Sequence, residues 1–395
     1  MSSRWTTTVR GVISISPMVR EAWLRFAWAG WIVCGLAACA PKKGAPLDGG
    51  AAADAAVSAR VDDAGPDAGG PEALRDGILD CTFSERIGFT ACAPAETLAR
   101  TAKDSPTGMA TLLDWVGDKS APIRSSAAHA LYAGKFPQRM YADCTGGARV
   151  KAALDKELVS VNAWQLAYAW SKFVEQCPEQ DAATQSFVKD AAYPHAQARG
   201  SLLSILDADI LHRPGWFDTL AGLVRDEQTD SHVRQSAAQV MWKLPTEKKP
   251  EIIPVLRTAL TGKDGAVAAR AAGSLASLDV DAAFPAVLQA AKADVAAGGK
   301  HSQFIWALIS YVQKNPKDRG PRVAALAKST AQGSTLDSLT RHAALKLLDR
   351  LHTEDARKTL QTIAASTAPE DKSLARDAEK LLADWASADG GAPAK

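Results

Sequence analysis

One small residue returns at a nearly constant interval through most of this chain: Ala128, Ala167, Gly200, Ala238, Ala272, Ala307, Ala344 and Ala378. The steps between them are 39, 33, 38, 34, 35, 37 and 34 residues. Three residues further on stand Leu131, Trp170, Leu203, Met241, Leu275, Ser310, Leu347 and Leu381, and seven of those eight are large and apolar. A spacing of three puts both residues on one helical face. The small one lets a neighbouring helix approach and the large one interlocks with it. Self-similarity at such a period marks stacked supersecondary units, each covering the apolar face of the next.

Apolar residues recur at three- and four-residue spacing between these markers, and Gly, Pro or Asp punctuate the segments. The pattern predicts eight antiparallel helix pairs: 109–118 with 121–134, 148–159 with 162–174, 181–192 with 194–207, 215–226 with 231–244, 251–262 with 265–278, 282–296 with 301–313, 321–332 with 337–351, and 355–366 with 371–386. Strand signal is almost absent. The expected fold class is therefore all-α, an α-solenoid of about eight antiparallel helix pairs over residues 105–387. A further helix over 94–103, opening at Pro94, belongs to an N-terminal cap formed by residues 76–104 with Cys81 and Cys92.

The segment Asp230-Ser231-His232-Val233-Arg234-Gln235-Ser236-Ala237-Ala238 resembles HEAT repeats, and the resemblance covers most of 105–387. It implies a HEAT/armadillo-like superhelix. In that family an Asp in the turn and an Arg on the second helix often form a ladder through the stack. Asp230 and Arg234 carry that pattern here, and Asp337 and Arg341 keep the spacing with Thr340 in place of Val. Asp264 is followed by Val267 and Ala268, with Arg270 two residues later; Asp118 with Arg124 and Asp371 with Arg376 are shifted. The Trp-Leu-Gly-Tyr pattern of tetratricopeptide stacks is not found.

The first forty residues carry a different signal. Arg20 and Arg25 flank the start of an apolar stretch of about 13 residues, Phe26 to Ala38. A basic start, a short apolar run and small residues at its end are the pattern of a secretory signal, and the run is too short to span a bilayer comfortably. Leu36-Ala37-Ala38-Cys39 resembles the lipobox of bacterial lipoproteins. The resemblance implies cleavage of the signal peptide, residues 1–38, and attachment of lipid to Cys39. Met18 is the expected true start, because the sequence from there makes a well-proportioned signal. Ala40, rather than Asp, after the lipid cysteine points to the outer membrane, facing the periplasm or the cell surface. Residues 39–75 are rich in Ala, Gly, Pro and Asp without aromatics, the composition of a disordered tether. Its root-mean-square reach is about 30 Å. Residues 388–395 form a loose tail.

The formal charge is +2, and removing residues 1–38, with four Arg and one Glu, leaves about −1. A nucleic-acid partner would need a strong basic excess, so none is expected. Cys81, Cys92, Cys144 and Cys177 remain beyond the signal and anchor. Export and an even count favour disulfides, Cys81–Cys92 and Cys144–Cys177 among three connectivities, with free buried thiols as the alternative. Close Cys pairs suited to zinc are absent, and no metal or cofactor is expected.

Seven histidines form no His-x-x-x-His pair, and there is no phosphate-binding glycine loop or Gly-x-Ser-x-Gly elbow. His232 and His342 both stand near starts of second helices. Trp115, Trp164, Trp170, Trp216, Trp242, Trp306 and Trp385 are core fillers at helical spacing or the elements of an aromatic groove. Trp164 and Trp170, six apart on one helix, do not share a face neatly, so one of them is the first place to look for exposure. The expected function is a non-catalytic protein- or peptide-binding scaffold held to the bilayer through Cys39, its partner an envelope protein or peptide. The alternatives are a structural lipoprotein bridging outer membrane and cell wall, and an enzyme on a HEAT-like fold.

Overall fold

The computed structural model describes residues 71–84, 88–89 and 92–388. All of them lie in one compact unit spanning Ala64–Lys395. The signal, Met18, the lipobox with Cys39, the tether up to residue 70 and the tail from residue 389 fall outside the described residues.

A 3-10 turn, Pro71–Leu74, leads into α1 (Arg75–Leu79). A short antiparallel ribbon follows, β1 (Phe83–Ser84) with β2 (Gly88–Phe89), Phe83 standing opposite Phe89. α2 (Ala93–Thr101) has Pro94 in its first turn, where the missing N–H costs nothing. These elements cover the first repeat: α2 lies against the second helix of that repeat, and Ile78 and Leu98 are fully buried there.

Eight helix pairs follow. They are α3 (Gly108–Trp115) with α4 (Ala121–Ala133), α5 (Cys144–Leu154) with α6 (Ser160–Gln176), and α7 (Asp181–Lys189) with α8 (Ala196–Ile205). After the single turn α9 (Ala208–Leu211) come α10 (Trp216–Arg225) with α11 (Ser231–Val240), and α12 (Lys249–Leu260) with α13 (Gly265–Ser277). The last three are α14 (Phe284–Ala296) with α15 (Gln303–Lys314), α16 (Pro316–Gln332) with α17 (Ser338–Leu351), and α18 (Glu354–Ala364) with α19 (Lys372–Ala388). The unit is an all-α solenoid.

The second helices form one continuous layer, α4, α6, α8, α11, α13, α15, α17 and α19, each against the next. All eight of the recurring small residues are buried in it. The large partners three residues on are buried too, apart from Ser310, which stays half-exposed. The core is thus a single strip of apolar side chains running through the stack.

Polar side chains set the helix starts. Asp230, Asp264 and Asp337 each accept a hydrogen bond from a backbone N–H of the following turn, at 2.8, 3.1 and 2.9 Å to the nearest. Asn315 and Thr353 do the same for α16 and α18. Two boundaries differ from expectation by five residues, the largest departures. α5 stops at Leu154 rather than 159, because the Glu157 carboxylate turns back to accept from the Val159 N–H at 2.8 Å and so builds the start of α6. α16 begins at Pro316 rather than 321, because Asn315 caps it and Pro321 is accommodated within its first two turns.

Candidate functional site

Arginines on the second helices knit the stack at its N-terminal edge. Arg341 donates to the Ala331 carbonyl at the end of its own first helix, 3.3 Å away, and to the Asp371 carboxylate of the next repeat at 2.7 Å. Arg234 repeats the arrangement with the Val224 carbonyl at 3.4 Å and Asp264 at 3.6 Å. Arg199 donates to the Val188 carbonyl and feels Asp230. Arg124 donates to the Asp118 and Lys119 carbonyls and lies 3.9 Å from Glu157. A cation at a helix C-terminus answers the unpaired carbonyls and the negative end of the dipole. The Asp230 and Asp337 carboxylates are helix caps; Arg234 and Arg341 each reach the acid of the following repeat, about thirty residues on, rather than the one four residues back.

A second set of cations seals the opposite edge. Arg213 donates to the Val174 and Glu175 carbonyls at the end of α6, Lys243 to Leu206 after α8, Lys314 to Ala276 in α13, and Arg319 to Tyr311 in α15. The repeats are therefore linked at both ends of the layer.

The cysteines lie in the N-terminal third. Cys81 and Cys92 face each other across the β-ribbon with Cα atoms 5.7 Å apart, and Cys144 and Cys177 stand 5.6 Å apart, both pairs at disulfide distance. Cys144 opens α5 and Cys177 ends α6. Glu179 is beside the second pair, and with both sulfurs joined no thiolate is left there to ligate a metal ion.

The layer has a free side. There the side chains are mostly half-buried, held between neighbouring helices with one edge to solvent. On α4 this stripe carries His129 and Tyr132, and on α6 Trp164, Tyr168 and Lys172. Tyr132 bridges the two helices, its ring centroid 4.7 Å from Trp164 and 4.9 Å from Tyr168. Trp170, by contrast, is fully buried and donates its indole N–H to Gln180. Trp164 is the indole of that helix that reaches the surface. Burial, together with the neighbouring Tyr168, pushes the Tyr132 hydroxyl above its ordinary pKa. Burial is the largest influence on the Lys172 ammonium and works to lower it, but the hydrogen bond to Glu175 together with the charges of Glu175, Tyr168 and Asp207 leaves the pKa raised.

Further along, α8 presents Ser201 and Ser204, α11 presents Gln235 and Gln239, and the 3-10 turn Met241–Lys243 that follows α11 presents Trp242, 37% exposed. α13 adds Arg270, Gly273 and Ser277, and α15 adds Trp306 and Ser310. Aromatic faces separated by small hydroxyl and amide side chains suit an extended chain. The rings take apolar side chains and the amides pair with main-chain N–H and C=O groups. The stripe was only partly legible beforehand. Tryptophan spacing pointed to one of Trp164 and Trp170 without saying which, and the tyrosines and glutamines joined the stripe through packing.

Two clefts open away from the stripe. One, of about 540 Å³, lies between α3 and α5 with Arg124, Arg149 and Lys156 on its walls and Leu158, 81% exposed, at its rim. The other, of about 550 Å³, lies between α7 and α10 and is lined by Gln185, Asp218, Thr219 and Asp226. His232 sits over Gly200, and His342 lies 3.5 Å from Asp377, so the two belong to separate surroundings. His301 Nδ1 is 2.6 Å from Asp294, a pairing that fixes the turn between α14 and α15. Among the described residues no helix is long and apolar enough to cross a membrane.

No family model matches this chain. No curated protein matches it either. Solved structures do. A mutant form of Kap121p is similar over 71% of this chain and 33% of its own, at 14% identity and a TM-score of 0.49. The karyopherin Kap121p bound to the extreme C-terminus of the protein phosphatase Cdc14p is similar over 80% of this chain and 38% of its own, at 12% identity and a TM-score of 0.42. Human deoxyhypusine hydroxylase is similar over 73% of this chain and 99% of its own, at 13% identity and a TM-score of 0.30. This chain thus spans about a third of the length of the karyopherin chains it resembles.

Proposed function

We propose that this protein is a lipid-anchored scaffold of the bacterial envelope and that the stripe on its second-helix layer holds an extended segment of a partner protein. The carrying observation is the continuity of that stripe. Half-buried aromatic, amide and small side chains follow one another from α4 to α15, where a merely structural surface would be covered by solvated charge. A helical stack offers such a surface without a catalytic centre. A photo-crosslinking side chain placed at Gln239 on the stripe should capture discrete envelope proteins, and one at Lys358 on the first helix of the last repeat should not. Equal capture at both positions, or none at Gln239, would sink the reading.

The anchor rests on Leu36-Ala37-Ala38-Cys39. Each buried methylene contributes about 0.8 kcal/mol, so two or three acyl chains on Cys39 hold a protein to the bilayer essentially permanently. Cys39→Ser is expected to abolish palmitate incorporation and to release the protein into the soluble fraction. Retention of label in that variant would remove the anchor.

A further inference from the structure

We infer that Arg270 is the receptor for a carboxylate side chain on the bound segment, so that the partner of this face is an acidic extended peptide. The inference deepens the scaffold reading and rests on it.

Along the second-helix layer the guanidinium groups of Arg124, Arg234 and Arg341 each meet an acid of the following repeat. Arg270, on α13, stands six residues after its helix's N-cap, Asp264, rather than four, and lies outside that register. Its position is half-buried, yet among the described residues it makes no hydrogen bond and no ion pair. Burial alone acts on it, and lowers its pKa from the ordinary arginine value. A desolvated, unpaired cation is costly, and a carboxylate arriving from outside recovers that cost. The planar guanidinium fork suits two parallel hydrogen bonds to a carboxylate.

The surroundings fit an incoming chain. Ala266, Arg270, Gly273 and Ser277 follow one another at steps of four, three and four, which is one face of α13. A Cβ on Gly273 would meet nothing within 4 Å, so the space beside Arg270 is open. Trp242, in the 3-10 turn that follows α11, and Trp306, on α15, stand to either side. From α8 to α15 the stripe carries no carboxylate of its own, and Arg270 leaves it locally positive; His232 on α11 feels that charge.

The test uses the full chain, purified in detergent, to select from a library of random twelve-residue peptides. Wild-type protein should select peptides that share an Asp or Glu at one position, and changing that residue to Asn or Gln should weaken binding about tenfold or more. Arg270→Gln should lose the acidic preference. Gly273→Glu is the second variant: Arg270 stays in place, the new side chain enters open space, and its carboxylate occupies the guanidinium, so the preference should disappear without loss of fold. Acidic peptides selected equally by all three proteins would overturn the inference. So would wild-type peptides without an acid whose binding Trp242→Ala weakens, an outcome that leaves the scaffold reading standing. No peptide selected by any of the proteins would remove both. If short-chain phosphatidylglycerol, and not the acidic peptides, quenches tryptophan fluorescence in an Arg270-dependent way, the anion is a lipid headgroup and the peptide assignment falls.

Discussion

Arg341 shows how much one side chain can join. It is almost fully covered, it closes the C-terminus of α16 through the Ala331 carbonyl, and it holds Asp371 of the next repeat. Removing one partner of a buried pair leaves an uncompensated charge, so Arg341→Met should cost about 3–5 kcal/mol in urea unfolding. Arg234→Met should cost less, because Asp264 keeps its bonds from Ser231 and from two backbone N–H groups. The same pair sets an acid limb. The hydrogen bond from Arg341 holds the Asp371 carboxyl below its ordinary 3.8. Its stabilising contribution is present above that pH and is lost as pH falls through the lowered value. Stability of Arg341→Met should therefore fall less steeply below pH 4 than that of the wild type. Two histidines act at milder pH. Burial holds His129 and His232 below 6.5 despite the nearby acids Glu96 and Asp230. The unfolded chain takes up protons first, so each site loses stabilising power as pH drops from about 7. Melting temperatures at pH 7.5 and 5.5 should differ less for the double variant His129→Gln, His232→Gln than for the wild type; an unchanged difference would rule the two residues out.

At the scale of the helix, the sequence spoke most clearly where packing repeats. The small residue and its large neighbour mark the second helices because every repeat must solve the same approach problem between adjacent helices. The ladder was less legible. The resemblance to HEAT repeats named Asp230, Arg234, Asp337 and Arg341 as ladder members, and the structure pairs each arginine with an acid some thirty residues on, Asp264 and Asp371. Local spacing does not encode which neighbour a side chain reaches. The free stripe was legible only at its tryptophans, since Tyr132, Tyr168 and the glutamines are ordinary amphipathic residues until α4, α6 and α11 lie side by side. Glycines test the same distinction between surface and seam. A Cβ at Gly222, inside α10, would meet nothing within 4 Å. Gly222→Ala should stabilise by about 0.5–1 kcal/mol, the usual gain from replacing Gly in a helix interior. A Cβ at Gly147, inside α5, would come within 2.8 Å of the Phe173 Cβ and 2.3 Å of the Gln180 amide on which Trp170 depends. Gly147→Ala should destabilise by about 1–3 kcal/mol through overpacking. Thermal melts of the two variants should shift in opposite directions.

The unit as a whole is held by neighbours only: each helix pair touches the pair before and the pair after, along the layers and through the cations at both edges. Stability in such a stack is close to a sum of repeat and interface terms, so damage at one end need not travel. The last repeat offers a clean place to ask. Trp385 in α19 is 3% exposed, donates its indole N–H to Asp349 in α17 at 2.8 Å, and stacks against His352 with ring centroids 4.1 Å apart. Truncating a buried tryptophan costs about 3–5 kcal/mol. In Trp385→Ala that loss should appear as hydrogen exchange confined to residues 354–388, because α17 still has α15 and α16 to pack against while α18 and α19 have no repeat beyond them among the described residues. Protection of the second helices from α4 to α15 should match the wild type. If exchange instead rises evenly from α4 to α19, the eight pairs unfold as one block, and the energetics of the stack are set by the continuous core rather than by its successive interfaces.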